Sequence, residues 1–412
     1  MRSEGPETPL AVMAKPVGSR CNMRCAYCYY LEKGKYSQSR KQTCMSYALL
    51  EKLIRQTIAA SPGPVVSFTW HGGEPTLAGM EFYKKALELE RKYLPKGWEA
   101  WNNLQTNGLL LNDGWCRFLK ETRFDVGLSI DGSAQVHDAN RRQVNGAGTF
   151  ERVSAAIRRL REAGVEPDLL CTVNAVSQER PTEVYRALRD TGCGWVQFIP
   201  VVIRDASGGA APGSVDPEGY GRFLTAVFDE WVTHDLGVLD VQLFAEMARI
   251  LAGGRASLCW MTPTCGSVLI VEEDGAVYSC DHFVDPEHRL GTLQRDSLAR
   301  LAGGEFQRAF GLAKRDALTD ECRACPWLRF CNGGCPKDRF GVSAEGQPGQ
   351  YWLCPGLKAF FSHAQPVLER VMAMSAAGKT PREIMAELNA DPSAETQGGR
   401  QRKTPGQTER RE

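Results

Sequence analysis

The chain has 412 residues, 42% apolar and 24% charged, with a formal net charge of +1. That length supplies ample material for a buried core and a prior of two or three domains. A near-neutral balance gives no global field for nucleic acid or an anionic membrane, and no run approaches the ~18 consecutive apolar residues of a membrane span.

Residues 1–9 are polar and proline-bearing, without the apolar centre of a signal peptide, so a cytoplasmic location is the expectation. Leu10 to Met13 form a short apolar run, and a loop containing Cys21, Cys25 and Cys28 follows. The polar stretch 32–42 reads as a surface loop. Ser46 is an N-cap for a helix through Ala60 with Leu49, Leu50, Leu53 and Ile54 on one face, stopped by Ser61-Pro62-Gly63-Pro64. Residues 65–70 are β-branched and aromatic, a buried strand. Helices are expected over 82–93, 113–121, 150–163 and 182–190, and strands over 98–106, 125–130, 169–174 and 195–202. Counting the first apolar run, six strands alternate with helices, which implies a parallel sheet wound into a barrel or an open arc. Residues 204–216 are rich in Gly, Ala and Pro and read as a loop, before helices over 220–234 and 243–251. The segment 268–280 reads as a hairpin turning at Glu272-Glu273-Asp274-Gly275. A helix over 356–374 closes the folded part. From 376 to 412 the chain is a polar tail with room for a short helix at 381–389, and composition predicts disorder over its last ~20 residues.

Fifteen cysteines are many for a reducing compartment, and their odd number argues against a complete disulfide framework. Cys44, Cys116, Cys171 and Cys193 are scattered and read as small buried hydrophobes. The motif Cys21-Asn22-Met23-Arg24-Cys25-Ala26-Tyr27-Cys28 puts three thiols on one loop. A structural zinc wants four ligands, whereas an iron–sulfur cluster held by three cysteines keeps an open iron. His71-Gly72-Gly73-Glu74-Pro75 follows the second strand; adjacent glycines form a tight turn or let backbone approach a ligand closely. Other polar segments also follow strands, at Gln105-Thr106-Asn107-Gly108, Ser129-Ile130-Asp131-Gly132 and Gln197-Phe198-Ile199-Pro200, where parallel α/β folds place their active sites. Cys259, Cys265, Cys280, Cys322, Cys325, Cys331, Cys335 and Cys354 make eight, two complete sets of four, suited to zinc or to iron–sulfur centres. His71, His137 and His282 stand alone and read as hydrogen-bonding side chains. By themselves Arg141 reads as a surface charge beside Arg142, and Asp281 as a solvated turn carboxylate. Phosphate-loop, dinucleotide and zinc-protease motifs are lacking.

The cysteine loop, with Tyr27 before its last cysteine and Tyr29-Tyr30 after it, resembles the signature of radical S-adenosylmethionine (SAM) enzymes. That resemblance implies an α/β fold, a partial (β/α)6 barrel over 10–235, with a [4Fe–4S] cluster on Cys21, Cys25 and Cys28. It places Tyr27, Gly72, Gly73, Glu74, Ser129, Arg141 and Val202 around SAM. The spacing of the eight later cysteines resembles the SPASM domain of peptide-modifying relatives, expected over 259–373 after a helical linker at 236–258. By resemblance one auxiliary [4Fe–4S] cluster takes Cys259, Cys265, Cys280 and Cys335, and the other takes Cys322, Cys325, Cys331 and Cys354. Three clusters and SAM are therefore the implied cofactors.

Lys15-Pro16, Gly72-Gly73-Glu74-Pro75-Thr76-Leu77, Leu128-Ser129-Ile130-Asp131-Gly132 and Tyr278-Ser279-Cys280-Asp281 are most similar to the anaerobic sulfatase-maturating enzymes. These oxidise a cysteine or serine in an unfolded Cys/Ser-x-Pro-x-Arg segment of a sulfatase to Cα-formylglycine. The resemblance makes Asp281 the general base. It implies a 5′-deoxyadenosyl radical that takes hydrogen from Cβ, and a flavodoxin- or ferredoxin-type electron donor. His71 stands where some maturases carry glutamine, which leaves peptide preference open. Two other readings stay open at this point: a SPASM-type maturase making thioether or carbon–carbon crosslinks, and a non-catalytic zinc-binding module.

Overall fold

The computed structural model describes residues 11–36 and 43–390. The expectations for residues 37–42 of the polar loop, for the first residue of the barrel and for disorder at the end of the tail fall outside these.

Six parallel strands form the middle of one sheet: β1 (Ala11–Ala14), β2 (Val65–Trp70), β3 (Glu99–Thr106), β4 (Asp125–Ser129), β5 (Asp168–Val173) and β6 (Trp195–Pro200). They lie side by side in chain order, joined by helical crossovers. A two-residue strand, β7 (Asp240–Val241), extends the β6 edge in parallel. At the other edge β8 (Val268–Val271) pairs with β1 in parallel, so Met13 lies between Thr69 and Ile270. β9 (Ala276–Tyr278) and β10 (Arg289–Thr292) continue outward antiparallel. The hairpin expected at 268–280 therefore forms and also completes a ten-stranded sheet, which no pairing closes among the described residues.

Local chemistry accounts for the elements. The Ser46 hydroxyl accepts from the Leu49 N–H at 3.3 Å and caps α1 (Tyr47–Ala60), a contribution of about 1 kcal/mol. In β2 the alternate residues Val66, Phe68 and Trp70 are buried, as a half-covered strand requires. Trp70 meets Phe82 and Tyr83 of α2 (Met80–Tyr93) edge to face. α3 (Asp113–Thr122), α5 (Phe150–Glu162) and α6 (Pro181–Arg189) fall within about two residues of expectation. α4 (Ala134–Asn140) was not legible, because seven mostly polar residues carry too little periodicity.

The later helices lean on the barrel. α7 (Pro217–His234) and α8 (Gln242–Leu251) bury Phe228 and Phe244, which meet Phe360 of the long terminal helix. Between them run α9 (Leu298–Ala302), α10 (Glu305–Asp316), α11 (Asp320–Arg323), α12 (Leu328–Cys331) and a small hairpin, β11 (Gly341–Val342) with β12 (Pro348–Gln350). The terminal helix, α13 (Cys354–Ala376), touches α7 so closely that a Cβ on Gly356 would sit 1.8 Å from the Pro217 carbonyl. α14 (Pro381–Ala390) buries Ile384 and Leu388 and packs on α7. Among the described residues no helix is long and apolar enough to cross a membrane.

Candidate active site

The loop after β1 carries Cys21, Cys25 and Cys28. The end of α4 and the segment following it hold this loop: Arg24 N–H donates to the Arg142 carbonyl at 2.8 Å and Ala26 N–H to the Asn140 carbonyl at 3.0 Å. Burial pushes the Cys21 thiol up to about 12 and the Cys25 thiol to about 11, and charge on the other loop cysteines adds to both. Three half-buried thiols whose charges act on one another lie together on this loop, a donor set that fits a metal cluster with three protein ligands and one open position.

The same segment delivers Arg141. It is 7% exposed, which overturns the surface-charge reading: its Nε donates to Asp131 Oδ2 at 2.9 Å. Asp131 is fully buried, and the Tyr27 hydroxyl donates to the same carboxylate. Burial pushes the Asp131 carboxyl up, but Arg141, His137 and these bonds outweigh it and hold it below its usual range. The Arg141 guanidinium lies 5.6 Å from the Tyr27 ring centroid, and its terminal nitrogens make no hydrogen bond among the described residues. They are free for a ligand carboxylate. The Ser129 hydroxyl, at the end of β4, accepts from Gln105 Nε2 at 3.1 Å and keeps its proton to donate.

After β2, Gly73 N–H and Glu74 N–H donate to the carbonyls of Gly18 and Arg20, both at 2.8 Å, which presses this turn against the cysteine loop. A Cβ on Gly73 would lie 2.1 Å from the Arg20 carbonyl oxygen, so only glycine permits that approach. The carbonyls of Gly72 and Gly73 receive no donor among the described residues, an arrangement that fits a ligand ammonium. The resemblance places Glu74 around SAM, and in the structure its side chain turns inward. Its side chain is fully buried, and its oxygens accept from Thr76 N–H (3.0 Å), the Thr76 and Thr106 hydroxyls (2.5 and 2.7 Å) and Asn107 N–H (2.8 Å). Burial pushes this carboxyl up. It braces the turn against β3. Val202, just past β6, is half-buried, and its carbonyl accepts from Lys337 Nζ at 3.3 Å.

Asp281 is the point where the two cysteine regions meet. Its side chain is 16% exposed, and the solvated-turn reading fails because Lys15 Nζ lies 2.5 Å from Oδ1. Oδ2 accepts from the hydroxyl of Tyr29, the residue after Cys28. Lys15, fully buried, also meets His71 Nδ1 at 3.0 Å and stands 4.3 Å above the Tyr30 ring. Burial pushes the Asp281 carboxyl up, yet Lys15, His71 and His282 together hold it well below the ordinary range. Burial likewise pulls His71 down to about 3 and His282 to about 4, so both imidazoles are neutral at pH 7. Tyr30 donates to Glu272, whose carboxyl burial raises to about 8. Sequence reasoning read His71 and His282 as isolated and gave Lys15 and Tyr29 no role. The signal lay in the Lys15-Pro16 and Tyr29-Tyr30 matches.

The eight later cysteines divide in space. Cys322, Cys325, Cys331 and Cys354 line one cavity, with Tyr351 and Phe361 on its wall. Burial pushes Cys331 up to about 11, and the charges that add to it are those of Cys354, Cys322 and Cys325. In the other group burial pushes Cys335 up to about 12, and Cys280 feels Asp281, Cys335 and Cys259. Cys265 in turn feels Cys259. These neighbours fit two four-thiolate centres. Cys116, Cys171 and Cys193 are buried as expected, while Cys44 is half-exposed.

A βα arc with a three-cysteine loop after β1 and a second cysteine region on the same sheet defines a radical SAM enzyme with a SPASM extension. The Radical SAM superfamily pattern matches residues 16–194, and the SPASM pattern, an iron-sulfur cluster-binding domain, matches 259–326. The chain is 39% identical over 395 residues to a serine-type anaerobic sulfatase-maturating enzyme of Bacteroides thetaiotaomicron, covering 92% of this chain and 95% of that one. It is 33% identical over 367 residues to a cysteine-type enzyme of Clostridium perfringens, covering 88% and 98%. The solved structure of native anSMEcpe with bound AdoMet superposes with a TM-score of 0.81 at 33% identity, over 88% of this chain and 99% of that chain. A further structure, with a Cp18Cys peptide, gives 0.80. The chain belongs to the anaerobic sulfatase-maturating enzymes. Its cofactors are SAM and iron–sulfur clusters, which excludes the zinc-module reading.

Proposed function

We propose that the chain oxidises a cysteine or serine in an extended Cys/Ser-x-Pro-x-Arg segment of a sulfatase to Cα-formylglycine, in the cytoplasm, with electrons from a flavodoxin- or ferredoxin-type donor. The observation that carries this reading is the hydrogen bond from Tyr29, next to Cys28, to Asp281, next to Cys280. A base is thereby held beside the loop where hydrogen abstraction begins.

When bound, SAM and the cluster on Cys21, Cys25 and Cys28 supply hydrogen-atom abstraction, and clusters on the eight later cysteines accept an electron. Arg141 and Ser129 bind the SAM carboxylate, and the carbonyls of Gly72 and Gly73 take its ammonium. Tyr27 keeps Arg141 and Asp131 aligned, and Val202 lines the far wall. Asp281 removes the proton from the target sulfur or oxygen. Lys15 keeps that carboxylate ionised, and Tyr29 orients it. The radical SAM core over 10–235, the linker at 236–258, the SPASM region over 259–373 and the tail over 376–412 are the proposed divisions.

The test is anaerobic incubation with SAM, a reductant and peptides carrying Cys-x-Pro-x-Arg or Ser-x-Pro-x-Arg, followed by mass spectrometry. An aldehyde product is expected from at least one. SAM cleavage without aldehyde would overturn the substrate, and a product that has lost hydrogen but kept its sulfur would identify a crosslinking maturase.

A further inference from the structure

Two cations lie among the eight later cysteines without an acidic partner. Lys314 of α10 is 1% exposed. Its Nζ donates to the backbone carbonyls of Cys259 (2.8 Å), Trp260 (2.9 Å) and Thr262. Arg339 is half-buried and spends its nitrogens the same way, on the carbonyls of Gly333 (2.8 Å), Lys314 (2.6 Å) and Asn332 (2.9 Å). Among the described residues neither has a carboxylate within 4.0 Å. Removing a charge from water costs several kcal/mol, and carbonyl dipoles offset only part of that. The missing counter-charge has to come from another group.

The backbone around Arg339 shows which group. Asn332, Gly333 and Gly334 take successive positive φ values of 44°, 71° and 66°. This turn links Cys331 of one cysteine set to Cys335 of the other and aims two of its carbonyls at the guanidinium. A Cβ on Gly333 would meet Leu318 Cδ2 at 2.3 Å and Arg339 Nη2 at 2.7 Å, so the turn packs tightly against both side chains. The Asn332 amide donates to the Met261 carbonyl at 2.6 Å, tying the turn to the segment that holds Lys314. Burial pulls both cations below their usual values, and thiolates pull them back. For Lys314 these belong to Cys265, Cys259 and Cys335, all of one set. For Arg339 they belong to Cys322 and Cys331 of one set and Cys265 and Cys335 of the other.

We propose that Lys314 and Arg339 are the counter-charges of the two auxiliary clusters, and that Arg339, seated between the cysteine sets, raises the reduction potential of both. The inference rests on the assignment of the eight cysteines to two clusters. Adding an electron to a thiolate-bound centre makes a negative site more negative, and a fixed cation in a low dielectric favours that state. The reaction calls for this bias. Oxidising the target releases one hydrogen atom to the carbon radical, one proton to Asp281 and one electron, which needs an acceptor within the chain. Lys314 and Arg339 touch neither substrate nor reacting atoms; they are positioning residues for charge.

The test is a redox titration of the fully loaded, full-length protein followed by electron paramagnetic resonance, with iron and sulfide measured on each sample. Arg339→Gln lowers the reduction equilibrium of both auxiliary clusters about tenfold, which is about 59 mV for a one-electron couple. Arg339→Lys keeps the charge and stays near the unaltered protein. Lys314→Met lowers chiefly the cluster of Cys259, Cys265, Cys280 and Cys335. Unchanged potentials in Arg339→Gln and Lys314→Met at full iron content would overturn the proposal. If Arg339→Gln fails to retain iron, Arg339→Lys decides: retention supports a charge role, and loss in both overturns it in favour of hydrogen bonding alone. Iron and sulfide short of three clusters in the unaltered protein would instead overturn the cofactor assignment.

Discussion

Replacing Lys15 with methionine keeps the length of the side chain and removes its charge. Lys15 Nζ stands 2.5 Å from Asp281 Oδ1. Taking the two charge centres as about 4 Å apart in an effective dielectric of about 20, the pair is worth about 4 kcal/mol, or about 3 pKa units. In the unaltered protein the depressed Asp281 carboxyl stays ionised through the acid range. The stability it contributes is complete above the unfolded value of about 3.9 and is lost as pH falls below it. In Lys15→Met burial acts with only two neutral imidazoles to oppose it, so the carboxyl rises above its unfolded value of about 3.9, toward neutral pH. The sign then reverses: the folded state prefers the protonated acid, and stability declines as pH rises through that window. The assay measures aldehyde formed per 5′-deoxyadenosine released, from pH 5.5 to 9. The unaltered enzyme gives a flat ratio, whereas Lys15→Met falls severalfold between pH 8 and pH 5.5. A loss equal at every pH, or no loss, would refute the assignment of Lys15 to the charge of Asp281.

Asp281→Asn keeps the shape but cannot accept the proton; aldehyde formation falls by about 10²–10⁴ while reductive cleavage of SAM continues, as chromatography of 5′-deoxyadenosine checks. Arg141→Met strands the fully buried Asp131 carboxylate and costs about 3–5 kcal/mol, read from urea unfolding; Asp131→Asn in the same background recovers much of that loss. Glu272, raised to about 8 from 4.5, binds a proton in the folded state that the unfolded chain releases, so it makes stability fall as pH rises from 4.5 to 8. Glu272→Gln removes that slope and is near-neutral at pH 5; identical slopes in both proteins between pH 5 and 8 would contradict it.

Where structure follows from neighbours in the chain, the sequence was legible. The bounds of α1 follow from the Ser46 cap and the Ser61–Pro64 stop, and β2 from its β-branched and aromatic run. Segments past the strand ends fell where a parallel sheet gathers them. Burial decided the rest, and burial is a property of distant partners. Arg141 beside Arg142 looks like a solvated pair until Asp131, just past β4, and Tyr27, from the cysteine loop, close on it. Glu74 is placed around SAM by the resemblance, but Thr106 and Asn107 at the end of β3 supply donors that turn its side chain inward. Lys15 has no local mark of a buried lysine; it is enclosed only because β2, the cysteine loop and the chain beyond β9 converge on it. The pairing of β8 with β1 leaves no local trace either, since a short apolar run pairs with whichever edge the fold presents.

That pairing has a consequence for anyone recombining these enzymes. Lys15 N–H donates to the Val271 carbonyl at 2.8 Å, and Ala11 N–H to that of Ser267 at 3.1 Å. The spacing between the loop that starts the radical and the segment that carries the base is thus set by strand pitch, about 4.8 Å, rather than by a tether. A one-residue slip of β8 would turn each of its side chains to the opposite face and detune both halves together. The second region is therefore not a cassette: a chimera spliced within 236–258 works only if the incoming β8 is grafted along with the β1 it was shaped to meet.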